Sequence, residues 1–496
     1  CDERQVRSDK WRLGALLVVA FSTGAHGQNP PAGSTPVLLI TVDTLRADRL
    51  GCYGARRVST PAMDGLATEG ARFDNTLAQV PITLPSHAVI LTGTYPMYNG
   101  VRDFTGTGLP PNVGLIAEAF QRQGYATAAF VSAFVLDSTW GLRRGFETYD
   151  DHFDPRQFET RNPGSIERRA DETVDRVLNW LKSHASGRNA ARPAFIWLHL
   201  FDPHSDYNPP EPFGRQYAGS LYDGEVAYTD SQLARLFDYL RRTGLYDRAL
   251  IVLLGDHGES LGEHGEDEHG FFIYNSTLRV PMIFKLPRGQ SPPRVVKQPV
   301  GTVDVAPTLL ELLRIRDPLS RQFQGTSLAS LIYGKGTPSE RAVYAETTYP
   351  RNSFGWSALR SISISRYHYI EGPQPEIYDL TADPGETRNL YEQRQAEAQA
   401  LHSQLLDFER RYTAAPAPAK GPPLAPETLE RLKSLGYIAY SAPSLTTATT
   451  GSLADPKDRL RIFKSILRAA DLASLGRLGA SSTLLKSVAA DEPNLY

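Results

Sequence analysis

The 496-residue chain has little cysteine, only Cys1 and Cys52. A disulfide framework and a thiolate zinc site both need more, so both are excluded. Nor does one sign of charge dominate: 53 Lys and Arg against 55 Asp and Glu leave a net charge of −2. That balance lacks the basic footprint of a dedicated nucleic-acid binder. Long apolar runs are missing as well, none reaching the ~20 residues of a membrane-spanning helix. What is there is a folding composition, 41% hydrophobic and 22% charged, too apolar for a disordered chain. Any chemistry must therefore use Asp, Glu, His, Ser or Thr. At ~150 residues per domain the length fits about three domains, or one large α/β domain with appendages.

The N-terminus carries a targeting pattern. Arg4, Arg7, Lys10 and Arg12 precede the apolar run Leu13 to Phe21, and the small-residue stretch Ser22 to Gly27 follows. Basic, apolar and small segments in that order read as a secretory signal peptide over residues 1–27. Export combined with so few cysteines points to a bacterial periplasmic or secreted protein.

From Pro36 onward, apolar runs alternate with amphipathic stretches. Strands are expected at Val37–Val42, Thr127–Val131, Phe195–Leu200, Leu250–Leu254 and Pro281–Phe284, and helices at Ile166–Leu181, Tyr228–Leu240 and Asp304–Leu313. Runs that are apolar at every position suit strands buried on both faces of a parallel sheet. The expected fold is α/β, a large, mostly parallel sheet sandwiched by helices over 36–335. In such sheets ligands bind at the carboxyl ends of the strands. Over 336–412 the pattern changes to the short strands Val343–Thr348, Leu359–Ser365 and Tyr367–Glu371 of a smaller antiparallel sheet, then a helix near 394–412. A Pro/Ala-rich linker with a short helix is expected over 413–453. Two helices follow over 454–496, Asp455–Leu475 and Ala480–Ala490. The pair is tetratricopeptide-like, and one such unit cannot bury its own face. It must pack on the main body or continue into a longer array, the second being the expectation, and it offers a surface for a protein partner.

Residues able to carry chemistry gather just after the apolar runs. The first strand ends in Thr41-Val-Asp43-Thr-Leu-Arg-Ala-Asp48. An acid there projects into the crevice at the sheet end, although Asp is also a good helix N-cap. Thr83-Leu-Pro85-Ser86-His87 has the Pro and Ser of a turn entering a helix. A hydroxyl at a helix N-terminus is well placed to form or hold an anion; Thr83 and Ser86 could equally serve as caps. Gly255-Asp256-His257-Gly258 opens a loop holding three of the chain's 11 histidines, His257, His264 and His269. An adjacent carboxylate and imidazole suit Zn²⁺, Mn²⁺ or Ca²⁺. Asp202-Pro-His204-Ser-Asp206-Tyr207 follows another strand. The acidic run Glu266-Asp267-Glu268 reads as a solvated face or a gate to the site.

With these segments in place, the chain resembles the sulfatase family of the alkaline phosphatase superfamily. The resemblance rests on VLLITVDTLRADRLGCYG (37–54), TPAMDGLATEGARFDN (60–75), TLPSHAVILTGTYP (83–96), DPHSDY (202–207), GDHGESLGEHG (255–265) with His269, and EIYDLTADPGETRNL (376–390). It implies that Asp43, Asp256 and His257 are metal ligands and that Thr83 is the nucleophile, also touching the metal. It further implies that His204 and His269 hold the ester's non-bridging oxygens or protonate the leaving group.

Two departures from the family pattern bear on chemistry. Sulfatases carry Cys or Ser, converted to formylglycine, in a C/S-x-P-x-R motif; here Thr83 and His87 stand in the first and last places, so no formylglycine is expected. The family's tandem aspartate is Asp43-Thr44, which removes a carboxylate and favours Zn²⁺ or Mn²⁺ over the oxygen-rich shell of Ca²⁺. A sulfated threonine cannot expel sulfate by carbon–oxygen cleavage as a formylglycine hydrate can. A phospho-threonine can be hydrolysed at phosphorus. The resemblance thus implies a metal-dependent hydrolase or group transferase acting through a Thr83 intermediate, on phosphoric esters or phosphonates ahead of sulfuric esters. The substrate would be a small-molecule, glycan or lipid-headgroup ester. A non-catalytic, partner-binding module is the reading of a different class.

Overall fold

The computed structural model describes residues 34–413, apart from 105–107, 155, 158–165, 188–189, 289, 291–292 and 336–339, together with 453–492 and 495. The expected signal peptide, and nearly all of the expected linker with its short helix, lie outside the described residues.

The apolar runs become the centre of one large sheet. Its path β4-β3-β5-β1-β6-β7-β2-β8 is built from β1 (Val37–Val42), β2 (Ala71–Leu77), β3 (Ala126–Phe130), β4 (Thr148–Asp150), β5 (Ala194–Leu200), β6 (Leu250–Gly255), β7 (Arg279–Lys285) and β8 (Arg294–Val296). The two-residue β9 (Val300–Gly301) pairs with β2. Pairing is parallel from β4 through β6. Side chains of β1, β5 and β6 alternate between two cores. Leu39, Phe195, Trp197 and Val252 face one side, and Leu38, Ile40, Ile196 and Leu253 the other. Both faces are covered, which is why the runs are apolar at every position.

Six helices supply the covers: α1 (Pro61–Glu69), α2 (Thr83–Thr92), α3 (Ile116–Arg122), α4 (Ala170–Ser186), α5 (Leu221–Arg242) and α6 (Val305–Leu312). One face takes α2, α3 and α6 through Leu84, Phe120 and Leu309; the other takes α1, α4 and α5 through Met63, Val177 and Phe237. Each such side chain contributes about 1.5–3 kcal/mol on burial.

The short strands β4, β8 and β9 were not expected from the sequence, and two longer strands also depart from the expectation. β7 runs antiparallel to both β6 and β2. The connection from β6 is the loop 256–278 with no crossover helix, and a parallel return needs one. β2 was not expected as a strand, because Asp74 and Asn75 interrupt its apolar pattern at an irregularity between Phe73 and Thr76.

The smaller sheet is fully antiparallel, in the order β10 (Ala342–Thr347), β11 (Leu359–Ile364), β12 (Tyr367–Glu371), β13 (Glu376–Asp379). Helix α7 (Gln395–Tyr412) covers it through Ala398, Leu401 and Leu405. Buried acids pair across the junction of the two sheets, Glu346 with Arg102 at 2.6 Å and Asp304 with Arg341.

The C-terminal helices α8 (Leu460–Ser474) and α9 (Leu478–Asp491) lie against the main body. The Phe463 ring stacks on Phe271 at 4.2 Å between centroids, within a cluster that includes Tyr274 and Tyr378.

The loop after β6 is held by Glu266, which is buried and accepts hydrogen bonds from the amides of Phe271 (2.8 Å) and Phe272 (3.3 Å). Glu266 is therefore not part of a solvated acidic face. Burial pushes its pKa up to about 8, against the pull of those two amides. A carboxyl whose pKa rises on folding contributes stability that is complete below about 4.5 and is lost as pH rises through about 8. Glu266→Gln keeps an acceptor without the titration. Its thermal midpoint, followed across that range, should decline less steeply with pH than that of the wild type.

Candidate active site

The carboxyl ends of β1 and β6, central neighbours in the sheet, deliver the site. Asp43 follows the last residue of β1 and Asp256 the last of β6, and both side chains are fully buried. Asp43 caps no helix: its amide continues the ladder, donating to the Leu200 carbonyl at 2.9 Å. Ligand atoms of Asp43, Asp256 and His257 lie within 4.8 Å of one another. His257 Nε2 is 3.5 Å from a carboxylate oxygen of each acid. Its Nδ1, 2.9 Å from the Gly258 carbonyl, must carry the proton, which leaves a lone pair on Nε2 facing the acids.

Thr83 is the first residue of α2 and makes no capping hydrogen bond. Its Oγ1 lies 3.4 and 3.5 Å from the two Asp43 oxygens and 3.3 Å from His257 Nε2. Ser86, the other candidate cap, instead donates to the Asp256 carbonyl at 2.6 Å. The Thr83 oxygen thus sits among the three candidate ligands at the positive end of a ten-residue helix.

Electrostatics separate the two acids. Burial works against charge on Asp43, yet the His199 contact and the nearby His204 and His257 outweigh it and hold its pKa below the usual carboxylate range. Burial, and then the Asp43 charge, raise the pKa of Asp256. Burial, reinforced by His269, lowers that of His257. One Asp256 oxygen accepts from the amides of His257 (2.7 Å) and Thr44 (3.2 Å), while the other, Oδ2, has no hydrogen-bond partner among the described residues. An unpartnered carboxylate oxygen facing a second carboxylate, with an imidazole lone pair and a hydroxyl beside them, fits a divalent cation.

His204 and His269 stand next to this cluster. Their ring centroids are 5.1 Å apart, and His269 is 4.5 Å from His257. Burial opposes charge on His269, but Glu259, 2.9 Å from its Nδ1, prevails and pushes the pKa up to about 9. Tyr207 donates to the other Glu259 oxygen at 3.0 Å and so steadies the pair. His204 lies 4.3 Å from the Phe201 ring, with Nδ1 2.6 Å from the Ser205 carbonyl. The structure therefore brings together all six residues singled out from the sequence. The third histidine of the loop, His264, stacks on Tyr274 at 3.6 Å instead.

Sequence reasoning missed His199 altogether and the supporting roles of Thr44 and His87. His199, in the interior of β5, places Nε2 3.4 Å from Asp43 Oδ2, and its Nδ1 accepts from the Ser132 amide. A lone imidazole in the apolar run FIWLHL was the available signal. Thr44 holds a left-handed φ of 52°, rare for a β-branched residue. In that conformation its amide reaches Asp256 and its hydroxyl the Pro203 carbonyl, at 2.5 Å. His87 closes a buried chain. The Trp197 indole donates to Thr41 Oγ1 (3.0 Å), Thr41 to His87 Nε2 (2.9 Å), and His87 Nδ1 to the Thr83 carbonyl (2.8 Å). Burial pulls the His87 pKa down to about 3, so this imidazole is neutral.

Comparison with known proteins places the chain in a family. A family model described as sulfatase matches residues 35–315, and one described as N-sulphoglucosamine sulphohydrolase, C-terminal, matches 262–411. The chain is 23% identical to an N-acetylglucosamine-6-O-sulfatase of Bacteroides thetaiotaomicron, over 76% of this chain and 86% of the relative. It is 25% identical to the steryl-sulfatase of Mus musculus, over 76% and 82%. Its fold matches the phosphonate monoester hydrolase of Agrobacterium radiobacter with a TM-score of 0.64, covering 78% of this chain and all of that one at 20% identity. The sulfatase model spans more than half of the chain and includes both strand ends and the helix that form the site. This protein is thus an ester hydrolase belonging to the sulfatase family.

Proposed function

We propose that the protein is a metal-dependent hydrolase that cleaves phosphoric or phosphonic esters by way of a covalent Thr83 intermediate. The observation that carries this reading is the Thr83 hydroxyl, 3.3–3.5 Å from Asp43 and His257 at a helix N-terminus. Asp43, Asp256, His257 and Thr83 Oγ1 would hold the cation. A divalent ion bound there lowers the pKa of an adjacent hydroxyl and offsets charge on the reacting group.

The chain's own residues account for the rest. Thr83 Oγ1 attacks the central atom in line as its alkoxide, its proton having been released to solvent beforehand; its bond to phosphorus forms as the ester bond to the leaving alcohol breaks, and the alkoxide is what the second step returns. The N-terminal amides of α2 and its dipole favour the negative charge that develops. His269 supplies the proton taken by the leaving oxygen. With Nδ1 committed to Glu259, it presents Nε2–H, and a pKa of about 9 keeps it protonated near neutrality. His204, with Nδ1 turned to Ser205, lines the other side and contacts the non-bridging oxygens. In the second step water attacks the phospho-threonine and returns a proton to His269, which regenerates both groups.

A sulfuric ester is the second reading, favoured by the curated relatives, which are named as sulfatases. The chemistry of the nucleophile favours phosphorus. A threonine ester of either acid must be opened by attack on the central atom, since the carbon–oxygen route open to a formylglycine hydrate is closed. The alcohol half is a small molecule, glycan or lipid headgroup, and the site of action proposed is the bacterial periplasm or exterior.

Three measurements test the reading. Thr83→Ala should lose at least about a thousandfold in turnover on aryl phosphates, phosphodiesters, phosphonates and sulfates alike, while Thr83→Ser keeps measurable activity; full activity in the alanine variant sinks the assignment. Across that panel of central atoms the wild type should turn over a phosphoric or phosphonic ester fastest, and a sulfate in first place would hand the function to the second reading. Chelation should abolish activity, Zn²⁺ or Mn²⁺ should restore it, and Asp256→Asn should purify with less bound metal. A metal-free wild type that is fully active would contradict the account.

A further inference from the structure

The C-terminal hairpin lies outside both matched family regions, which end at residues 315 and 411, yet it docks on the loop that carries His269. Three contacts along one face of α8 meet that loop. The Leu460 side chain occupies the space beside Gly265, where an added Cβ would come within 2.7 Å of it. Lys464 Nζ pairs with Asp267 at 2.8 Å. Between them Phe463 lies flat on Phe271, the planes 7° apart. Phe271 is two residues beyond His269, and its amide is held from the inner side by Glu266. The same Phe463 ring meets Phe354 and Tyr349, which follow β10 of the smaller sheet.

The other end of the hairpin is fixed independently. Asp455 accepts from the Gln374 amide at 2.9 Å, and Lys457 pairs with Glu376 at 3.3 Å, so its base is tied to β13 and the turn before it. The loop 259–272 is therefore gripped on two sides. Ser260, Glu266 and Glu259 hold it from within, and α8 holds it from without.

We propose that the hairpin is a working part of the active site and that Phe463 is a positioning residue for His269. The inference rests on the role of His269 given above. Its physical basis is geometric. Proton transfer to a leaving oxygen requires His269 Nε2 to be held in place, and a displacement of about 1 Å at such a group can cost on the order of a hundredfold in rate. The Phe271 ring meets Trp356 and Phe354 edge-on, at 5.9 and 6.5 Å between centroids, and Phe463 is the ring that stacks flat on its face, at 4.2 Å, and so opposes an outward swing of the loop. A hairpin that served only as a structural appendage would contribute to folding and leave the chemistry of the leaving group untouched.

The test compares phenyl and 4-nitrophenyl esters of whichever acid, phosphoric, phosphonic or sulfuric, the wild type turns over fastest. The phenyl ester needs the proton because phenol has a pKa of about 10; the nitro ester needs it much less. In Phe463→Ala, kcat for the phenyl ester should fall about tenfold more than kcat for the nitro ester. The ratio is internal to each preparation, so a loss of folded protein cancels. Phe463→Leu, which keeps the apolar bulk but not the ring stack, guards against failure to fold and should shift the ratio in the same direction. His269→Gln sets the scale with a larger shift. An equal loss on both esters in the two Phe463 variants, or no loss, while His269→Gln remains selective, would overturn the hairpin's role. No selectivity in His269→Gln would instead overturn the reading on which it rests.

Discussion

Two carboxylates facing each other in a dry interior are the constraint to which the rest of the site answers. Asp43 and Asp256 end adjacent parallel strands, so the ladder between β1 and β6 fixes their separation before any side chain adjusts. Two like charges at that range in low dielectric are strongly unfavourable. The surroundings show how the cost is met. His199, His257 and His204 favour charge on Asp43, whereas Asp256 is pushed toward the neutral acid and left with an unpartnered oxygen. A bound divalent cation would reverse that disparity by making both charges favourable. The same gap receives the Thr83 hydroxyl from α2, so cation and nucleophile would share one set of partners.

Around this gap lies a shell of groups that aim the reactive ones. Thr44 spends an unfavourable backbone conformation to place its amide on Asp256 and its hydroxyl on the loop of His204. The chain from Trp197 through Thr41 and His87 runs from the sheet to the carbonyl of Thr83. Glu259 and Tyr207 set the charge and direction of His269. None of these groups touches the reacting atoms in our scheme, yet each restricts one that does. A neutral, buried His87 is consistent with a site whose positive charge would come from a cation and from His269.

Much of this was legible in the sequence, for identifiable reasons. β1, β5 and β6 are buried on both faces, so their apolar runs mark them without ambiguity, and the site residues stand just beyond their ends. β2 escaped notice because Asp74 and Asn75 fall at its irregularity, where alternation breaks down. The direction of β7 depends on the absence of a crossover helix, which short-range patterning does not record. His199 was passed over because one imidazole in an apolar strand gives no hint of the carboxylate opposite it. Glu266 looked solvated in its run of acids, although the chain buries it under two amides. The docking of α8 on the His269 loop joins segments about two hundred residues apart, a distance at which only tertiary packing, not periodicity, supplies information.

The account turns on whether the central atom of the ester passes through Thr83. The stereochemical course of hydrolysis, followed with an ester made chiral at that atom by isotopic labelling, reads this directly. Two successive in-line displacements, the first by Thr83 and the second by water, give net retention of configuration, which is the result expected. Net inversion would show a single displacement by water and would contradict the covalent role assigned to Thr83.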